Sequence, residues 1–165
     1  MSAIGIGFDA HRLAAGVPLR LAGLEWPDEP AGLVGHSDGD VVAHALCDAI
    51  LAAAGLGDLG AVFGTADPVW AGASGVALLT EVVARVRVAG WSVVNATVQL
   101  IGNRPQLAAR RSEAETVLGA AIAARVCVSA TTTDGLGFTG KGEGVAAIAT
   151  ALLRWVPQSE GTGGG

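Results

Sequence analysis

The sequence predicts an α+β (α/β two-layer) domain, a β-sheet packed by helices. Three observations carry this. Segments with two-residue alternation or dense β-branching recur near 4–8, 19–24, 93–101 and 126–131. Helix start and stop signals fall between them, over about 41–54, 75–89 and 105–124. At 165 residues, 51% hydrophobic and 15% charged, the chain can bury one real core.

Taken in order, Ile4, Ile6 and Phe8 alternate with Gly5, Gly7 and Asp9, which predicts a strand with one apolar face. Asp9 and His11 share the opposite face, because side chains two apart on a strand point the same way. Leu19–Leu24 reads as a second strand and Pro27–Pro30 as a turn. Asp38 or Asp40 caps a helix that runs to about Ala54 and stops at Gly55 and Gly57. His44 and Asp48, four apart, share one face of it. Gly57–Gly75 is a long loop rich in Gly, Pro and Asp, of the kind that is functional or mobile. Ser74 caps a second helix ending near Gly90, and Val93–Ile101 is a strand. A third helix starts around Pro105 and continues to about Ala124. Val126–Thr131 is a further strand. The Gly-rich loop Gly135–Gly144 leads into a last apolar helix, Val145–Trp155. The expected organisation is a single domain over 1–157 with a flexible Gly-rich tail at 158–165.

Composition narrows the function. A formal charge of −5, few aromatics and no Tyr weigh against a nucleic-acid surface. The apolar runs are broken by His44, Asp48 or Arg125 and are too short to span a bilayer, and no basic leader precedes an apolar stretch. The expectation is a cytoplasmic protein with no membrane partner. So apolar a chain is expected to cover part of its surface with a subunit interface. Cys47 and Cys127 form no metal-spaced pair and read as reduced core residues.

The polar chemistry concentrates in two places. The chain has three histidines: His36 and His44 in the segment 36–44, and His11 two residues after Asp9. Zinc takes imidazole nitrogen and carboxylate oxygen, and a catalytic zinc needs three protein ligands and one open position. Asp9, His11 and His44 supply that set; the plainer alternative is three structural histidines. The second place is Thr131-Thr132-Thr133-Asp134 with the glycine-rich run to Gly144, including Lys141. Hydroxyls, free backbone N–H groups, a lysine and a helix N-terminus are parts of a phosphate cradle. Asp134 suits a hard cation such as Mg²⁺. The plainer alternative is an ordinary strand-to-helix loop, and no Walker A run is present. Together the clusters suggest metal-assisted phosphoryl transfer on a polyanionic substrate. Asp40 and Asp48 are candidates to orient metal ligands.

Several motifs, in order, carry a resemblance: Gly5-Ile6-Gly7-Phe8-Asp9-Ala10-His11-Arg12, His36-Ser37-Asp38-Gly39-Asp40 with His44, Gly57-Asp58-Leu59-Gly60, and Thr131 to Asp134 through Gly142-Glu143-Gly144. They span roughly residues 3–156, and the chain resembles the 2-C-methyl-D-erythritol 2,4-cyclodiphosphate synthases of the non-mevalonate isoprenoid route. The resemblance implies a phosphorus–oxygen lyase. The 2-phosphate of 4-diphosphocytidyl-2-C-methyl-D-erythritol 2-phosphate attacks the β-phosphorus, and CMP leaves. It implies a mixed β-sheet with helices on one face, in a homotrimer whose sheets surround a central axis and whose sites lie between subunits. Asp9, His11 and His44 would hold zinc, and Asp134 a Mg²⁺ or Mn²⁺ ion. His36 and Ser37 would meet the 2-phosphate, and Thr131 and Thr132 the diphosphate. His36, Ser37, Thr132 and Asp134 would be the catalytic set. Asp58 would bind the ribose hydroxyls, and Gly102, Asn103, Arg104, Pro105, Gln106 and Leu107 the cytosine. Gly60, Phe63, Thr133, Phe138 and Lys141 would also line the substrate.

The chain departs from the pattern at Asp134, where many members carry Glu. It departs at Lys141, where Arg is frequent and is associated with isoprenoid diphosphate in the central cavity, and at Thr65, where an acid is common. The competing expectations are a non-catalytic trimeric binder of metal or isoprenoid diphosphate, and a metal-dependent phosphohydrolase. At this length the chain is expected to be monofunctional rather than fused to a cytidylyltransferase.

Overall fold

The computed structural model describes residues 1–35, 37–64 and 72–157. A long first strand, β1 (Ser2–Ala15), is followed by a hairpin of β2 (Leu19–Leu21) and β3 (Leu24–Trp26), and by the short β4 (Ala31–Leu33). Then come α1 (Val41–Ala54), α2 (Leu59–Phe63), α3 (Gly75–Val88) and β5 (Trp91–Ile101). A 3₁₀ turn (Leu107–Arg110) leads into α4 (Arg111–Ile122), β6 (Arg125–Thr131), the one-turn α5 (Gly137–Gly140) and β7 (Gly144–Trp155). The main sheet is mixed, in the order β4-β1-β7-β5-β6. All its pairs are antiparallel except β5 with β6, which α4 joins as a parallel crossover.

The helices cover one face of this sheet, and glycine decides how closely. On β1, Gly5 and Gly7 face α1, while Ile4, Ile6 and Phe8 face away and are exposed. A Cβ built on Gly5 would stand 2.0 Å from the carbonyl oxygen of Ala49, and one on Gly7 2.1 Å from that of Ala45. Strand and helix backbones therefore meet with no side chain between them. The core fills the rest of this layer, with Leu46, Ile50, Leu79, Val98, Leu100, Leu118, Ile122 and Leu153 all buried. The β1 alternation thus sorts the faces as expected, but the glycine face, not the isoleucine face, packs the helix.

Three expectations are corrected. Val145–Trp155 is not a helix but the central strand β7, between β1 and β5. Its inward residues Val145, Ala147, Ala149, Ala151 and Leu153 are all buried, and small side chains there admit α1. A continuous apolar run fits a buried strand as well as a buried helix, and tertiary pairing chose. Leu19–Leu24 is two strands rather than one, turning at Ala22 and Gly23, both of positive φ. Cys127 is no core residue: it is half-buried on the outward sheet face, in register with Thr97. Cys47 is buried as expected. The long loop 57–75 contains the short α2, and the tail from 158 lies outside the described residues.

One sheet edge is guarded: on β6 the carboxylate of Glu115, reaching from α4, accepts the outward Val128 N–H at 2.9 Å, whereas β4 covers only Leu13–Ala15 of β1 on the other side.

Candidate metal centre and phosphate loop

β1 presents Asp9 and His11 on the face that meets α1, and α1 presents His44 one turn from its start. The start of α1 is fixed from outside. Asp40 is its N-cap, accepting from Val42 N and Ala43 N at 3.1 Å each. The same carboxylate, 1% exposed, accepts from Ala22 N and Gly23 N in the hairpin turn, at 2.9 and 2.7 Å. Burial pushes the Asp40 carboxyl up, and these N–H bonds oppose it. Asp38 accepts from Asp40 N and from Gly75 N at the start of α3. Asp40, not Asp38, is therefore the cap of α1, and the two aspartates tie hairpin, α1 and α3 at one point.

Asp9, His11 and His44 place one ligand atom each within 4.8 Å of one another. Asp9 Oδ2 lies 3.0 Å from His11 Nε2 and 2.9 Å from His44 Nδ1. His11 Nδ1 lies 2.6 Å from the carbonyl oxygen of Val34, and His44 Nε2 lies 2.8 Å from Ser37 Oγ. Burial acts to raise the Asp9 carboxyl, but hydrogen bonds and charge from both histidines outweigh it and hold it well below the usual carboxylate range. The hydrogen bond to Asp9 raises His11 above the ordinary histidine value; burial opposes this, and the Val34 carbonyl adds to it. One carboxylate and two imidazoles, each ring held through its second nitrogen, fit a zinc ion with an open position.

Sequence reasoning missed two supports here. One is the Val34 carbonyl, a backbone group with no signature. The other is Gly35, where a Cβ would meet the His11 ring at 2.9 Å. Its glycine is the only trace of that close approach.

Other predicted residues fall around the triad or away from it. Asp48 accepts from Leu59 N at 2.9 Å and Asp40 binds only backbone, so both hold backbone rather than imidazole. Burial pushes Asp48 up, with the Leu59 bond opposing. Asp58 is exposed and caps α2 through Ala61 N. Gly60 lies on α2, and Phe63, 7% exposed, belongs to the core under the Arg85 guanidinium. His36 and the segment 65–71, with Thr65, lie outside the described residues.

The second cluster sits at the ends of β5 and β6. Their parallel register pairs Ile101 with Thr131, so the loops 102–107 and 131–136 leave the sheet side by side. Gly102 N donates to the Thr131 carbonyl at 3.0 Å and joins them, and Asn103 Nδ2 donates to the Gly140 carbonyl of α5 at 2.8 Å. Asn103, Arg104 and Gln106 are exposed, whereas Pro105 and Leu107 are buried. Thr133 Oγ1 donates to the Leu136 carbonyl, and Gly140 packs on Gly135, where a Cβ would come within 2.4 Å of backbone. Thr131, Thr132, Asp134, Phe138 and Lys141 remain exposed. Asp134 has φ +51°, a left-handed conformation that Asp tolerates, with Thr132 Oγ1 3.2 Å from its carboxylate. The loop is folded on itself as a cradle requires, but the helix expected after it is absent; only the four-residue α5 stands there.

A two-layer α+β domain with a His-His-Asp cluster able to hold a metal beside α1 and a hydroxyl- and glycine-rich loop on a distant strand is the class that fold and site define. The chain belongs to the YgbB family, whose model matches residues 2–154. It is 65% identical over 149 residues to a 2-C-methyl-D-erythritol 2,4-cyclodiphosphate synthase of Cutibacterium acnes, covering 90% of this chain and 89% of that one. It is 59% identical to the synthase of Acidothermus cellulolyticus, covering 91% and 92%. Among solved structures, a 2C-methyl-D-erythritol-2,4-cyclodiphosphate synthase in its CDP-bound form superposes with a TM-score of 0.83 at 38% identity, covering 92% of this chain and 99% of that one. The bifunctional IspDF of Campylobacter jejuni superposes with a TM-score of 0.88 at 35% identity, over 94% of this chain and 42% of its own.

Proposed function

We propose that this chain is a phosphorus–oxygen lyase that converts 4-diphosphocytidyl-2-C-methyl-D-erythritol 2-phosphate to 2-C-methyl-D-erythritol 2,4-cyclodiphosphate and CMP. The observation that carries the reading is the convergence of Asp9, His11, His44 and Ser37 in a chain 65% identical to such a synthase. An oxygen of the 2-phosphate forms a bond to the β-phosphorus, the bond from that phosphorus to the α–β bridging oxygen breaks, and CMP leaves with the electron pair. Nucleophile and electrophile belong to one molecule, so the protein's work is to fold that molecule and offset its charge.

Asp9, His11 and His44 would hold zinc, and Asp134 a Mg²⁺ or Mn²⁺ ion. When bound, these cations supply Lewis-acid charge at the phosphoryl oxygens. His36 and Ser37 orient the 2-phosphate, and Thr131, Thr132 and Thr133 hold the diphosphate. Asp58, whose second carboxylate oxygen is left by the α2 cap, accepts from the ribose hydroxyls. The loop Gly102 to Leu107 takes the cytosine through Gly102, Asn103, Arg104 and Gln106, with Pro105 and Leu107 as its buried base.

One chain cannot bring these halves together. Asp9 pairs with Ala147, Ala147 with Leu100, and Leu100 with Ala130. The triad and the threonine loop are thus three interstrand spacings apart, roughly 14 Å, beyond the reach of one diphosphate. A second copy supplies the missing half, which supports a homotrimer with sites between subunits. Its sheets surround the axis with Ile4, Ile6, Phe8 and Ile148, all exposed in the single chain, turned inward. There Lys141 replaces a bidentate guanidinium with a point charge and weakens any isoprenoid diphosphate contact.

The domain is 1–157, and the enzyme is cytoplasmic; among the described residues no helix is long and apolar enough to cross a membrane. Incubation with the cytidine diphosphate substrate, followed by phosphorus NMR, tests the activity. Cyclic diphosphate and CMP are expected; inorganic phosphate would make the chain a hydrolase, and no turnover a binder.

A further inference from the structure

We infer that Ser37 is a metal-gated hydrogen-bond donor: its hydroxyl proton is committed to His44 when the centre is empty and is released toward a substrate phosphate when the centre is loaded. This rests on the metal-centre reading above and adds a link between that centre and the phosphate. It concerns the two faces of one buried ring. His44 Nδ1 lies 2.9 Å from Asp9 Oδ2, and Nε2 lies 2.8 Å from Ser37 Oγ.

An ionised carboxylate only accepts hydrogen bonds. In the neutral, metal-free ring the single proton therefore sits on Nδ1 and is donated to Asp9. Nε2 is then a bare acceptor, and the Ser37 hydroxyl donates into it. A cation held with Asp9 takes the Nδ1 lone pair, so the ring proton must reside on Nε2. Nε2–H now donates to Ser37 Oγ, and the bond between the same two atoms has reversed. The ring stays neutral; one N–H is lost at Nδ1 and one gained at Nε2. Ser37 has one proton, no longer used on the imidazole side, and it turns outward.

His11 is not convertible in this way. Its Nδ1 faces the Val34 carbonyl at 2.6 Å and its Nε2 faces Asp9 Oδ2 at 3.0 Å, both of which only accept, so neither nitrogen has a hydroxyl whose proton it could hold or release, and Nε2 serves the cation. The two histidines thus divide the work: His11 is a fixed ligand, and His44 reports occupancy to Ser37. The consequence is ordered assembly, in which the site offers its phosphate a donor only after the metal is in place.

The test uses the full chain at about pH 8.5, above the ordinary histidine range near 6.5. In ¹⁵N-labelled protein, long-range proton–nitrogen correlations should place the His44 proton on Nδ1 without metal and on Nε2 with one equivalent of zinc. Affinity for inorganic phosphate is then measured for wild type and Ser37→Ala, each with and without zinc. The direct attraction between cation and anion cancels in this cycle. Ser37→Ala should weaken phosphate about tenfold in the zinc-loaded protein and less than about twofold in the metal-free protein. Ser37→Thr, which keeps the hydroxyl, should behave as wild type. The same His44 tautomer in both states, or an equal loss in both, overturns the gate while leaving the metal centre standing. His44 resonances that ignore zinc overturn the metal centre itself and the gate with it. Should Ser37→Ala fail to fold, the tautomer in wild type decides alone.

Discussion

Asp9 and His11 hold opposite ends of one pH window. The folded pKa of His11 is raised, so its contribution to stability is full below the ordinary value of 6.5 and is lost as pH rises through the folded value. The folded pKa of Asp9 is depressed, so its contribution is full above the ordinary 3.8 and is lost as pH falls through the folded value. Metal-free protein is therefore expected to gain most from this pair between the ordinary carboxylate value of 3.8 and the ordinary histidine value of 6.5, and to lose that gain in strong acid and in alkali, which thermal melts across pH will show. Zinc reverses the upper limit, because it competes with protons for His11 Nε2 and His44 Nδ1. Elemental analysis should find one zinc per chain above neutral pH, falling as pH drops through the histidine range. Full zinc in His44→Ala or Asp9→Ala would refute the ligand set. Asp134 is a separate matter. Asn tolerates its left-handed φ of +51° equally well, so Asp134→Asn should change stability by less than about 0.5 kcal/mol. It should keep its zinc yet lose the turnover that depends on added divalent cation. Unchanged turnover would remove Asp134 from the reaction.

The contact between β1 and α1 is the element that assembles the centre. Gly5 and Gly7 let the helix settle on the strand, and that depth brings His44 to Asp9. Gly7→Ala would drive a methyl into the Ala45 carbonyl, so the helix must lift. We expect a loss of about 1–3 kcal/mol or more in denaturant melts. Zinc binding should weaken in parallel, since His44 rides on α1; wild-type stability and zinc affinity in this variant would mean that the backbones do not depend on the close approach. The parity of β1 was legible in the sequence because a strand has period two, and that alone put Asp9 and His11 on one face. The identity of the buried face was not, because hydropathy favours isoleucine over glycine, and only the helix shows why glycine is inside. β7 was misread for a related reason. An alanine-rich run has helix propensity, and nothing local in it records the two strands that flank it. His44 and Asp40 were legible through capping and i,i+4 spacing, whereas the Val34 carbonyl was invisible because backbone carries no sequence.

At the scale of the molecule, the three strand spacings between triad and threonine loop support the proposal of an active unit larger than the chain. Take one variant altered at His11 and another altered in the 103–107 loop, each inactive, and refold them together. Subunits mix at random, and about a quarter of the sites should join an intact metal half to an intact cytosine half. Activity should rise toward that fraction of wild type. Mixed trimers, identified by mass, that stay as inactive as their parents would place each site within one chain.

Glu115 bears on how such an assembly stops growing. An open sheet edge is a template for endless strand addition, and this sheet has two edges. One is β1, which the short β4 covers only at Leu13–Ala15, and the other is β6, where Glu115 already occupies the outward N–H of Val128. With β6 blunted, strand addition cannot run on from sheet to sheet through that edge, whereas apolar faces inclined to one another would close into a ring. A single carboxylate on α4, far from any chemistry, is thus expected to act against strand addition at this edge. Glu115→Ala should leave the metal centre intact yet raise light scattering and dye-binding aggregate during refolding, and refolding as clean as wild type would show that the edge needs no guard.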